Sequence, residues 1–121
     1  MLPTPSIQRR QHGTIEVLSL RGQFIGGKET DKLREVLAEC AQSNTPVVVL
    51  DMADVTYLNS TALGVLIAAH SSISKRGGNI VLCGLSKSIE NIFVITKLSL
   101  VFDIYRYLQT ALDSLSSSTT E

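Results

Sequence analysis

The sequence predicts a single α/β domain: a mixed, mostly parallel β-sheet of about four to five strands, with about four helices packed on it. Three observations carry this. The apolar runs Val47–Leu50 and Ile80–Cys83 are short and continuous, the pattern of strands covered on both faces. Between them lie stretches with apolar residues at i, i+3, i+4 and i+7, the stripe of a helix buried on one side. Strands alternating with helices imply parallel pairing through right-handed crossovers.

Each element follows in chain order. Residues 6–10 and 14–21 form the arms of a β-hairpin turning at Gln11-His12-Gly13. Gly22 and the pair Gly26-Gly27 then mark a loop; no phosphate-binding fingerprint surrounds the pair, so it reads as a plain turn. Leu33, Val36, Leu37 and Cys40 make the core face of a helix over residues 28–42, and Asn44-Thr45-Pro46 stops it. A strand follows over Val47–Asp51. Beyond Leu58 the helical spacing returns with Leu63, Leu66, Ile67 and His70 facing inward, and this helix ends near Arg76, before Gly77-Gly78. Asn79–Cys83 reads as another central strand. Ser86 caps a third helix with Ile89, Ile92, Phe93 and Thr96 inward, and Val94 and Ile95 on its less polar flank read as part of a broadly buried helix. Leu100–Ile104 is a strand, and Leu108, Ala111, Leu112 and Leu115 give a fourth helix. The domain therefore spans residues 6–115, with an N-terminal extension at 1–5 and a flexible polar tail at 116–121.

Composition narrows the function classes. Eleven basic and 11 acidic residues cancel, which argues against attraction to nucleic acid or membrane. No apolar run approaches the roughly 20 residues that span a bilayer, and the start Met1-Leu2-Pro3-Thr4-Pro5 lacks the pattern of a signal peptide. A cytoplasmic location is expected. Cys40 and Cys83 stand far apart without a partner motif and read as small core residues.

Leu58-Asn59-Ser60-Thr61-Ala62-Leu63-Gly64 carries most of the functional information. It places small hydroxyls at a helix N-terminus, where backbone N–H groups lack helical partners and the dipole favours negative charge. A phosphate on Ser60 would be welcome there. The residue types alone favour simple helix capping, since Asn, Ser and Thr all cap. A nucleophilic Ser60 would need an activating base. Only His12 and His70 exist; His12 lies in the hairpin turn, and His70 lies nearly three turns down the helix, roughly 15 Å away at roughly 1.5 Å per residue. Asp51, Asp54 and Asn59 lack the clustered oxygen ligands of a metal or aspartyl-phosphate site. No catalytic, metal or cofactor site is expected.

The stretch from Val47 through Asp51, Asn59-Ser60-Thr61-Ala62 and Leu66 resembles the core signature of STAS domains, in particular bacterial anti-sigma factor antagonists (anti-anti-sigma factors). The likeness continues through Gly77–Leu85 and ends around Leu98–Tyr105, covering most of the chain. The resemblance implies a STAS-type domain acting as a partner switch. In this family the unphosphorylated form binds an anti-sigma factor, a serine kinase of GHKL type, and frees the sigma factor. Phosphorylation of a serine at the start of the second helix breaks that contact, and a PP2C-type phosphatase resets it. The family's Asp-Ser-Ser/Thr-Gly motif aligns with Asn59-Ser60-Thr61-Ala62, so the resemblance gives Ser60 the acceptor role, with Thr61 second. It implies partner contacts at Gln23, Phe24, Asn59, Ser60, Thr61, Leu63 and Gly64, with no direct role for nucleic acid or membrane. The chain departs from the family pattern twice: Asn59 replaces an aspartate, and Gly22-Gln23-Phe24-Ile25 replaces Gly-Glu-Leu/Ile-Asp. STAS domains also serve as regulatory subunits of transporters, including lipid ABC systems, and as scaffolds of stress-signalling complexes. There Ser60 and Thr61 would sit in a permanent interface, joined by Val94 and Ile95.

Overall fold

The computed structural model describes residues 4–43 and 46–117. Among these, five strands form one sheet: β1 (Ser6–His12), β2 (Ile15–Phe24), β3 (Val47–Leu58), β4 (Asn79–Cys83) and β5 (Asp103–Tyr105). They lie in the order β1-β2-β3-β4-β5, with β1 antiparallel to β2 and every later neighbour parallel. Four α-helices are α1 (Lys28–Cys40), α2 (Ser60–Lys75), α3 (Lys87–Ile95) and α4 (Leu108–Ser117).

The layering follows from crossover chirality. Each parallel strand is laid down beside the last in one direction, so crossovers of one hand place α1, α2 and α3 on the same face. Their buried residues Leu37, Leu66 and Phe93 share one core with Leu18, Leu50 and Leu82 of the strands. α4 precedes no strand and escapes that constraint. It covers the opposite face, where Ala111, Leu112 and Leu115 pack with Val17, Val49, Val81 and Cys83. Alternate residues of each central strand thus feed different cores, which explains why β4 reads as a continuous apolar run.

Several expected boundaries are corrected. β1 runs on to His12, and the turn is the pair Gly13-Thr14, with Gly13 at φ +64°. Gly22, expected in a loop, lies inside β2 at φ +90°, next to a break in register with β3. β3 does not stop at Asp51 but continues to Leu58, pairing Arg21–Phe24 with residues 54–58. The bulges break the period-2 pattern there, leaving Met52, Val55 and Leu58 buried at intervals of three that mimic no regular strand. The buried stripe of α2 is also rotated from the expected one. Ala62, Val65, Leu66, Ala69 and Ile73 face the sheet, while Ile67 is 43% exposed. The small side chains of Ala62 and Ala69 let the helix approach the sheet closely, which larger residues on that line would prevent.

The strand expected over Leu100–Ile104 is instead a 3-10 turn (Leu98–Leu100) followed by β5. Lys97, at φ +65°, turns the chain out of α3, and Leu100 and Val101 stay exposed. Phe102 enters the core edge-on to Phe93 and His70, with ring centroids 5.9 and 5.1 Å apart. In α3 only Ile89 and Phe93 are fully buried. Thr96 is exposed at the C-cap, its hydroxyl donating to the Ile92 carbonyl, and Val94 and Ile95 are exposed rather than part of a broadly buried helix. Ser116 and Ser117 belong to α4; residues 118–121 of the expected tail lie outside the described residues.

Candidate functional site

The extended β2 and β3 end side by side and deliver two connections to one edge of the sheet. The Asn59 N–H donates to the Phe24 carbonyl at 3.1 Å, tying the start of α2 to the end of β2. Asn59 has extended backbone, and its Oδ1 accepts the Ala62 N–H at 3.0 Å. Its carbonyl begins the helical ladder by accepting the Leu63 N–H at 3.0 Å. The cap is therefore Asn59, and Ser60 occupies the first helical position.

That division of labour frees the hydroxyls. Ser60 is exposed, and its hydroxyl has no hydrogen-bond partner among the described residues. Thr61 is exposed beside Gly26: a Cβ placed on Gly26 would lie 3.5 Å from the Thr61 Cβ. Gly64 is exposed with open space around it, and Leu63 is half-buried. From this point a groove of about 350 Å³ runs between α1 and α2, lined by Arg34 and Ala38 on one side and Thr61, Gly64, Ala68 and Ser72 on the other. Gln23 is half-buried at the end of β2. Phe24 departs from expectation: its side chain is fully buried among core residues and offers a partner no surface. Ile25 and Tyr57 are exposed apolar side chains without a signal in the spacing of the sequence, and Ile67, which the spacing turned inward, is exposed as well.

The β2–α1 loop is more ordered than a plain turn. Glu29 Oε2 accepts the N–H of Ile25 at 2.8 Å and of Gly27 at 3.1 Å, and the Thr30 hydroxyl at 2.9 Å. Thr30 Oγ1 in turn accepts the Gly26 N–H at 2.9 Å. These donors, led by the Ile25 N–H, hold the Glu29 carboxyl down at about 2. The Gly26-Gly27 pair does cradle an anion, but the anion is the chain's own.

The other titratable candidates are engaged elsewhere. His70 packs its ring against Phe102, and His12 is exposed at the end of β1. Asp51 Oδ1 accepts the Ala53 N–H at 3.2 Å, and Asp54 is exposed. Among the described residues no three His, Cys, Asp or Glu side chains converge as metal ligands. Cys40 and Cys83 are free and buried, and burial pushes their thiols up to about 11 and about 12. No helix among the described residues is long and apolar enough to cross a membrane.

Comparison with known proteins agrees with this architecture. The sequence pattern of the STAS domain matches residues 6–111. The anti-sigma-B factor antagonist of Listeria monocytogenes is 36% identical over 99 residues, which span 82% of this chain and 87% of the relative. An anti-sigma factor antagonist from Mycobacterium paratuberculosis has the same fold, with a TM-score of 0.80 at 21% identity over 92% of this chain and 93% of the other. The phosphorylated form of SpoIIAA, a Bacillus cell fate determinant, gives a TM-score of 0.73 at 13% identity over 91% of this chain and 99% of the other. The two structures speak for the fold, and the Listeria relative for the branch. The chain belongs to the STAS domain family, among its anti-sigma factor antagonists.

Proposed function

We propose that this protein is a partner switch whose edge around Ser60 binds an anti-sigma factor with GHKL-type kinase activity and so releases a sigma factor. Phosphorylation of Ser60 by that partner ends the contact, and a PP2C-type phosphatase restores it. The observation that carries this reading is the exposed Ser60 hydroxyl, without a hydrogen-bond partner among the described residues, at the first position of a helix capped by its neighbour. A helix start presents Ser60 in a fixed direction, so a partner can pack around the neutral hydroxyl. Phosphate adds roughly −1.5 to −2 charges at pH 7 and must be desolvated in that interface. A penalty of about 3 kcal/mol weakens binding more than a hundredfold. Asn59 keeps the capping bond that an aspartate would make but brings no charge beside the acceptor. The domain itself catalyses nothing in this scheme; it presents a surface.

The test is incubation with ATP and the kinase-type anti-sigma factors of the same genome, followed by mass spectrometry. The expected result is one phosphate on Ser60, lost in Ser60→Ala, and a Ser60→Asp variant that binds at least about a hundredfold more weakly. A Ser60→Asp variant that binds every partner as tightly as wild type overturns the switch. That outcome favours the second reading, a permanent interface in a transporter or stress-signalling complex. What supports this second reading is the exposure of Val94 (57%) and Ile95 (79%) on α3.

A further inference from the structure

The hydrogen bonds of the β2–α1 loop point to a residue that no family motif singles out. Loop residues 25–27 present three successive N–H groups, and all three are satisfied by two side chains at the start of α1. Glu29 takes Ile25 and Gly27, and Thr30 takes Gly26. Thr30 is fully buried, and its hydroxyl donates to the same Glu29 oxygen, so the two acceptors are locked to each other. Both glycines lie close to other residues of this arrangement. A Cβ on Gly27 would lie 2.9 Å from Glu29 Oε1, so the carboxylate would have to shift to admit it. Gly26 adopts φ +92°, and a Cβ there would lie 3.5 Å from the Thr61 Cβ, at ordinary contact distance. The loop is held from inside by Glu29 and runs beside Thr61, the neighbour of Ser60.

We propose that Glu29 is a positioning residue of the Ser60 surface: its carboxylate fixes loop 25–27, and through Gly26 the loop sets where the Thr61 side chain stands beside the acceptor. The functional half of this proposal rests on the partner-binding reading above. Gln23, Ile25 and Asn59 are uncharged, whereas Glu29 carries a carboxylate within this loop. Its depressed pKa keeps it ionised throughout the physiological range.

Two variants of the full chain test this. Glu29→Ala removes the one oxygen that accepts both the Ile25 and Gly27 N–H groups, whereas Glu29→Gln keeps a carbonyl oxygen that can accept the same two. The first readout needs no partner: amide hydrogen exchange at Ile25 and Gly27, and the methyl resonance of Thr61. In Glu29→Ala, exchange at both amides accelerates at least about tenfold and the Thr61 methyl shifts, while β3 and β4 amides keep their protection. Glu29→Gln restores most of the protection. Unchanged exchange in Glu29→Ala, or a Thr61 methyl that does not move, overturns the positioning role. The second readout is affinity for the kinase-type anti-sigma factor, expected to fall about tenfold in Glu29→Ala and to recover in Glu29→Gln. If Ser60→Asp abolishes binding while Glu29→Ala leaves it untouched, the functional half of the proposal fails and the partner reading survives. If Ser60→Asp also binds normally, the partner reading fails and that half of the proposal goes with it.

Discussion

At the scale of single residues, Asn59 and Glu29 decide the character of the site by satisfying backbone N–H groups that would otherwise be orphaned. Asn59 makes one capping bond to the Ala62 N–H, so Asn59→Ala should lower unfolding free energy by about 1 kcal/mol in a urea titration. Asn59→Asp should match or exceed wild type by about 0.5 kcal/mol, since it keeps the acceptor and adds negative charge at the helix start. An Asn59→Ala variant as stable as wild type would show that the cap is dispensable. Glu29 gives a pH signature. Its folded pKa of about 2 lies below the ordinary 4.5, so it contributes stability in full above pH 4.5 and loses it as pH falls through about 2. Glu29→Gln should flatten the stability–pH curve in that window only, which a series of denaturant melts would reveal. A capping role within Asn59-Ser60-Thr61 is legible from residue types. That Asn59 takes it, and thereby leaves Ser60 free, depends on backbone directions set by β2 and β3.

At the scale of elements, the strands and helices with uninterrupted periodicity are the ones the sequence states plainly. α1 buries Leu33, Val36, Leu37 and Cys40 as their spacing requires, and β4 spans the run expected of it. The misplaced boundaries share a cause. The bulges in the β2–β3 pair, and the left-handed Lys97 between α3 and the 3-10 turn, interrupt regular patterns with irregular backbone that periodicity does not encode. Phe102 shows what such a segment contributes. The chain around it is irregular and exposed, yet its ring closes the gap between α2 and α3 against His70 and Phe93. Phe102→Ala should therefore cost about 3–5 kcal/mol, as for a core aromatic. A loss below about 1 kcal/mol in calorimetry would show that the 98–102 segment is surface filling alone.

At the scale of the whole molecule, the two faces of the sheet are covered unequally, by three helices on one side and by α4 alone on the other. One cysteine lies in each core, and burial raises both thiols well above the pH of the cell. Labelling with a thiol reagent at pH 8 should therefore follow the global unfolding curve for both residues. Rapid labelling of Cys83 in native protein would reveal opening of α4 from the sheet. The sequence by itself determined the α/β class, the alternation of strands and helices, and the cluster of small polar residues at the start of α2, because periodicity and capping chemistry are local properties. Only the tertiary structure decided which residue caps, that Phe24 is core, that Val94 and Ile95 are exposed, and that Glu29 fills the loop beside Thr61. Those outcomes depend on which strand ends meet at one edge, and strand register and crossover hand are properties of the assembled sheet rather than of any segment within it.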